Sequence, residues 1–281
     1  MTVGPAMKTK IIFGFLLFSL SFTVFAQAGL KITLEDYNGS WTIIKSEGNT
    51  KELAIPATIN DKPVTAIGEG AFTRKGLTLV TIPDSITVIG EGAFSFNELT
   101  TLVIGNGVET IGGKAFFSNK IKDLTIGTAV KSIGMGAFAD NELVKVNIPD
   151  SVTVIEPYAF FYNKLTTVTI PGSVTTIGEG AFSSNRIYSV TIGDAVKEIG
   201  DGAFFNNQLT SITIPGNLNA LGKRVFESLA TKKGSVPPVD YIDENGDVLY
   251  TTANNFDAYF ASTGKKAGKY SFSRDGWTYV E

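Results

Sequence analysis

The chain has 281 residues, 24 Lys and Arg against 27 Asp and Glu, a net charge of -3, and neither Cys nor His. The two absences exclude thiol nucleophiles, a Ser-His-Asp arrangement and most zinc sites, leaving paired carboxylates as the one remaining route to hydrolysis. The acidic balance argues against nucleic acid, which needs a basic surface.

Residues 1–28 read as a cleaved signal peptide. Lys8 and Lys10 precede the apolar run IIFGFLLFSLSFTVFA, and Ala26 and Ala28 flank Gln27, which is the charge, length and cleavage pattern of a secretory leader. A membrane anchor is the competing reading; the A-x-A site and the lack of a following basic cluster speak against it. No Cys follows the run, so a lipid anchor is excluded, and no second apolar stretch approaches a membrane span in length. Without Lys8 and Lys10 the balance is 22 basic to 27 acidic residues, a net charge near -5. The expected location is secreted, periplasmic or at the cell surface.

Residues 29–76 form an N-terminal cap that merges into a longer first repeat. LKITLEDY, the pair Asn38-Gly39, and SWTIIKS have the alternation and turn chemistry of a β-hairpin. Trp41 and Ile43 are expected to cover the open end of the first rung.

Residues 77–230 are seven consecutive segments of 22 residues, from LTLVTIPDSITVIGEGAFSFNE to LTSITIPGNLNALGKRVFESLA. A Phe recurs at this spacing from Phe72 to Phe226 without insertion. Strict self-similarity at a short period is the mark of a solenoid, in which each repeat is one rung and neighbours share a core. Within a rung, two apolar residues alternate as in a strand (Val168 and Ile170), and a Pro or Gly (Pro171) ends it. A second apolar pair (Val174 and Ile177) leads to Gly178 and then to Ala181 and Phe182. Large Phe beside small Ala predicts stacked rings filling a narrow interior. The Asn three residues after each Phe, from Asn97 to Asn207, is read as a ladder that pairs buried backbone groups rather than as a site. The following column, Glu98, Lys120, Glu142, Lys164, Arg186 and Gln208, mostly sets opposite charges on neighbouring rungs.

The pattern L-x-x-V-x-I-P-x-x-V-x-x-I-G-x-x-A-F-x-x-N resembles the leucine-rich repeat of the bacterial surface family typified by Bacteroides surface protein A. It continues upstream into LAIPATINDKPVTAIGEGAF; Glu156-Pro157 and the last repeat, with Leu221, Arg224 and Val225, depart from it. The expected fold is a leucine-rich-repeat solenoid, a right-handed β-rich coil of about eight rungs with β-rich terminal caps, roughly 35 to 40 Å long. The resemblance implies adhesion to host extracellular-matrix proteins, other cell-surface proteins or neighbouring bacteria.

Two surfaces could carry such binding. Directly after the core Phe come Ser95, Phe117, Ala139, Phe161, Ser183 and Phe205, so an aromatic falls on every second rung, and Phe96 and Tyr162 extend the strip with Tyr158 and Tyr188 as neighbours. Phe117, Phe161, Tyr162 and Phe205 are the candidate partner-binding residues; packing of these rings on each other is the structural alternative. The competing surface is the outward strand face with Thr125, Thr167, Thr169, Thr191 and Thr213. It could serve a glycan- or ice-binding protein, although Leu79, Asp123, Lys145 and Asn147 interrupt it and β-propensity alone accounts for Thr there.

Residues 231–281 read as a linker and C-terminal cap. VDYIDENGDVLY holds Asn245-Gly246 between apolar runs, a hairpin signal; Asp243, Asn245 and Asp247 alternate oxygen ligands but lack the spacing of an EF-hand. NNFDAYFAS suggests a short helix, and KYSFSRDGWTYVE a hairpin around Asp275-Gly276. The expectation for the whole chain is an exported, non-enzymatic scaffold for a protein or matrix ligand, with a glycan as a further candidate, and with no catalytic, cofactor-binding or metal residues. A carboxylate-dependent hydrolase is a remote alternative, since no acidic column recurs on one face.

Overall fold

The computed structural model describes residues 21–27, 29–216, 218–227, 239–242, 248–251, 264, 268–273 and 276–280. From residue 52 to residue 227 the chain is a β-solenoid of about eight turns, with no helix among the described residues. Most turns carry two short strands and then a glycine-cornered bend. The second strands form one unbroken parallel ladder in strict register, Ile67, Ile89, Ile111, Ile133, Ile155, Ile177, Ile199 and Leu221 lying side by side. On the bend side the Phe of one rung donates its N–H to the Ala of the next: Phe72 to Ala93, Phe94 to Ala115 and Phe116 to Ala137, each at 2.8 Å.

These ladders set the rung spacing, and the core residues are chosen to fit it. The column from Phe72 to Phe226 is fully buried, with neighbouring rings 5.2 to 5.6 Å apart and within 12° of parallel. That separation is the offset stack aromatic rings prefer. The Gly after the recurring Ile fits the close approach of neighbouring rungs: a Cβ on Gly90 would lie 2.7 Å from the Gly68 carbonyl carbon, and one on Gly112 2.7 Å from that of Gly90; Glu156 is the exception.

At the N-terminal end lie β1 (Ser21–Gln27), β2 (Leu30–Tyr37) and β3 (Ser40–Gly48), consecutive antiparallel strands. Tyr37 pairs with Ser40, so Asn38 and Gly39 alone make the turn, with φ of 48° and 87° as a type I′ turn requires. β3 then pairs in parallel with Lys62–Ile67, which joins the cap to the first rung. Trp41 and Ile43 are buried, and the Trp41 indole donates to the Ile59 carbonyl at 3.0 Å. Residues 1–20 of the proposed leader lie outside the described residues.

At the other end Gly268–Ser273 pairs antiparallel with Ser211–Ile214, and Gly276–Tyr279 pairs with it in turn. Tyr270 is fully buried against the last rung and packs edge-on to Tyr279. Ser273 pairs with Gly276, so Gly276 belongs to the second strand rather than to the turn of the Asp275-Gly276 reading; its register follows from Tyr270 opposite Tyr279. Val239–Ile242 and Val248–Thr251 form a two-stranded antiparallel sheet. The Asp243, Asn245 and Asp247 set and the helix suggested by NNFDAYFAS lie outside the described residues.

The first strands of the rungs do not form one sheet. Glu52–Ala54, Leu79–Thr81, Thr101–Val103 and Asp123–Thr125 pair in one group, and Thr167–Ile170, Ser189–Ile192 and Ser211–Ile214 in another. Between them the fourth 22-residue repeat, 143–164, has no strand at Val144 to Ile148, and these five residues donate no backbone hydrogen bond to either neighbour. Unbonded amides open to solvent exchange without an unfolding step. In native-state hydrogen exchange Val146 and Ile148 should therefore exchange on the order of tenfold or more faster than Val190 and Ile192 of the well-paired strand. Equal protection would show that the ladder is closed there in solution.

Candidate functional site

The bends carry two columns of left-handed backbone. One comprises Gly70, Gly92, Lys114, Gly136, Tyr158, Gly180, Gly202 and Arg224, with φ from 54° to 61°; the other comprises Arg74, Phe96, Ser118, Asp140, Tyr162, Ser184 and Asn206, with φ from 53° to 57°. Glycine takes this conformation freely, Asn and Asp readily, and bulky side chains at a cost of about 1 to 2 kcal/mol. The fourth repeat therefore places tyrosines at both left-handed positions, where most rungs have Gly, Ser, Asn or Asp.

These two tyrosines flank Phe161. Tyr158 meets it edge-on at 6.0 Å and Tyr162 lies tilted at 6.0 Å, forming one patch of three rings. Tyr162 is 60% exposed, and Phe161 is half-buried. The Tyr158 ring lies over the backbone of Gly180, where a Cβ would come within 2.5 Å of it. Its hydroxyl donates to Glu179, and that carboxylate raises the Tyr158 pKa above the usual phenol value. Phe117 is two rungs away and packs edge-on with Phe96 at 5.3 Å, beneath the Arg74 guanidinium at 4.2 Å from the Phe96 ring. Phe205, two rungs the other way, lies under Arg224 at 4.6 Å. Of the four candidate residues the fold brings Phe161 and Tyr162 together; Phe117 and Phe205 anchor separate patches. The buried Ala139 and Ser183 separate them, so the strip is discontinuous. Tyr158, Arg74 and Arg224 were not among the candidates. Their signal lay in the sequence, as large residues in columns held mostly by glycine or small polar residues.

Below the tyrosines the Asn column is a backbone ladder. The amide of Asn163 donates to the carbonyls of Phe138 at 2.9 Å and Phe160 at 3.3 Å, and its oxygen accepts from Leu143 N–H at 3.0 Å. The others repeat this, so their side chains are committed to structure. Beside them runs a polar groove of about 370 Å³ lined by Tyr162, Lys164, Ser184, Arg186, Asn206 and Gln208 with the Asn column as its floor. The charge column next to the Asn ladder pairs two by two rather than continuously: Lys164 with Glu142 at 2.7 Å, and Lys120 with Glu98 at 3.8 Å. Lys164 holds the Glu142 pKa below its usual value, so this surface contact contributes above the ordinary carboxylate pKa and is lost as pH falls.

On the strand face Thr125, Thr167, Thr169 and Thr191 are exposed, as expected, whereas Thr213 is half-buried because Lys269 pairs beside it. The strandless segment of the fourth repeat, with Lys145 and Asn147, falls in the middle of this array. Among the described residues no three acidic side chains gather as a metal site, and no helix is long and apolar enough to cross a membrane.

The BspA type leucine rich repeat region matches residues 46–165 and 131–246, in six copies. Among solved structures, a leucine rich cell surface protein from Faecalibacterium prausnitzii A2-165 is 28% identical with a TM-score of 0.50, covering 84% of this chain and 62% of its own. A leucine rich repeat protein of T. pallidum is 24% identical, covering 67% of this chain and 81% of its own, with a TM-score of 0.44. The pneumococcal vaccine antigen PcpA is 18% identical, covering 84% and 53%, with a TM-score of 0.40. The chain thus spans less than two thirds of the Faecalibacterium protein. No curated protein matches it. With the repeat profile matched over most of its length and the stacked rungs to account for it, the chain belongs to the BspA-type leucine-rich-repeat family.

Proposed function

We propose that the protein is an exported, non-enzymatic adhesion scaffold that holds a protein or matrix ligand against the bends of the solenoid. The observation that carries this reading is the tyrosine pair of the fourth repeat. Tyr158 and Tyr162 both occupy strained left-handed positions, and Tyr162 gains no burial in return. Strain kept without a packing gain points to a functional demand. Exposed aromatic rings with Arg and polar residues at the rim are the composition of interface hot spots. With neither Cys nor His, the chain offers the alternative of catalysis no thiol nucleophile and no imidazole base. The discontinuous Thr face supports neither ice nor glycan as well.

The test is a matrix-protein array and pull-down with the chain from residue 29 onward, followed by variants. Tyr162→Asn should leave the fold intact and raise its stability by about 1 kcal/mol by relieving the backbone, while weakening a captured partner roughly thirtyfold, the scale of a 2 kcal/mol hot spot. Phe161→Ser should weaken it as well, and Thr169→Lys should not. Full binding by a folded Phe161, Tyr162 and Phe205 triple variant would refute the bend surface, and loss with Thr169→Lys alone would move the site to the strand face.

A further inference from the structure

β1 lies antiparallel along the outer edge of β2, with Phe22, Thr23 and Val24 opposite Leu34, Thr33 and Ile32. Its residues also fall within the segment 1–28 that the leader pattern marks for removal. Cleavage after Ala28 takes β1 away and leaves a row of unpaired N–H and C=O groups along β2. Ile32 and Leu34, now buried, lie on that edge strand. A bare edge is a template for another strand. β2 has no Pro, and its register with β1 is regular from Leu34 to Lys31.

We propose that the mature chain self-associates through this edge, β2 of a second copy taking the place of β1. The sequence of β2 is suited to pairing with itself. Ile32-Thr33-Leu34 repeats the apolar-Thr-apolar pattern of Phe22-Thr23-Val24, so antiparallel pairing centred on Thr33 puts Ile32 opposite the second copy's Leu34, and Leu34 opposite its Ile32. Lys31 then lies opposite the second copy's Glu35, and the reciprocal pair forms by symmetry. Opposite charges facing across an antiparallel pair stabilise it, and like charges would oppose it. A two-fold axis normal to the sheet keeps both sets of inward residues on one face. The two solenoids then extend in opposite directions from a continuous sheet. Main-chain bonds supply the affinity and the side-chain pattern supplies the register, as in other strand additions.

The proposal rests on the export reading through the loss of residues 1–28, and two measurements separate the two claims. Sedimentation of the chain 29–281 should show a dimer at tens of micromolar, and the chain 21–281 a monomer. Excess peptide SFTVFAQ should return 29–281 to monomer. Lys31→Glu should weaken the dimer about tenfold, by replacing two attractive pairs with repulsive ones, and Lys31→Glu with Glu35→Lys should restore it, which a folding defect would not do. A monomeric 29–281 chain at about 100 µM, or a dimer indifferent to both the peptide and the charge exchange, overturns the proposal. N-terminal sequencing of the exported protein tests the other claim: a start at Gly29 supports the exposed edge, and a start at or before Ser21 overturns self-association in the native protein whatever the truncated chain does.

Discussion

Phe138→Ala should cost about 3 to 5 kcal/mol, the range for deleting a buried aromatic ring. Phe138 is fully buried and stacked on both faces, 5.4 Å from Phe116 and 5.5 Å from Phe160. The upper part of the range is expected because the cavity has little freedom to close. Phe138 N–H bonds to Ala159 at 2.8 Å and Phe116 N–H to Ala137 at 2.8 Å, while Ile133 stays in register between Ile111 and Ile155. Those ladders hold the rungs apart whatever fills the space between them. A repeat array is stabilised by nearest-neighbour interfaces, so a weakened central interface should also separate the two halves. Urea denaturation should show a lower midpoint and a broadened or two-step transition. An unchanged midpoint would mean that the ring stack contributes nothing to the fold.

Asn141→Leu should also be harmful although it removes no volume. The Asn141 oxygen accepts from Ile121 N–H at 3.0 Å, and its amide donates to the Phe116 and Phe138 carbonyls at 3.0 and 3.2 Å. Leucine leaves the buried Ile121 N–H without a partner, at about 1 to 3 kcal/mol, and takes one of two donors from each of the Phe116 and Phe138 carbonyls, which keep Asn119 and Asn163, so a loss of about 2 kcal/mol or more is expected. Asn141→Asp separates hydrogen bonding from shape. A carboxylate still accepts from Ile121 but faces two carbonyl oxygens in a buried bend, which raises its pKa in the folded state. The folded state then binds the proton more tightly than the unfolded one, so this variant should gain stability as pH falls through the raised pKa and lose it as pH rises. Melting curves from pH 4 to pH 8 would show the trend; a flat profile would remove the Asn ladder from the account of stability.

Some of this protein is legible one residue at a time. The 22-residue spacing of Phe72 through Phe226, with Ala before most of them and Asn three residues after, specifies the rung, its filling and its bend. Each position has one physical task that every neighbour repeats. The Asn38-Gly39 turn is legible for a similar reason, because the flanking strands demand positive φ at both central residues. What remained hidden depends on relations between rungs. The spacing of Phe117, Phe161 and Phe205 suggested a single strip, but whether rings meet is decided by side-chain direction and by what lies over them, here Phe96, Arg74, Tyr158 and Arg224. The charge column suggested alternating attraction, but each Lys has one ammonium and takes one partner, so Lys164 goes to Glu142 and Lys120 to Glu98.

The sequence by itself determined the solenoid, its register and its core, because a strict repeat turns local preference into a constraint summed over every rung. Only the tertiary structure decided where the regularity fails. The segment of the fourth repeat satisfies the apolar pattern with Val146 and Ile148, yet it forms no strand between the two sheets. The same repeat turns Tyr158 and Tyr162 outward on left-handed backbone. Pairing requires adjacent strands to lie within hydrogen-bonding distance at once, and backbone handedness follows from the closure of the whole coil. Neither is a property of the 22 residues taken alone.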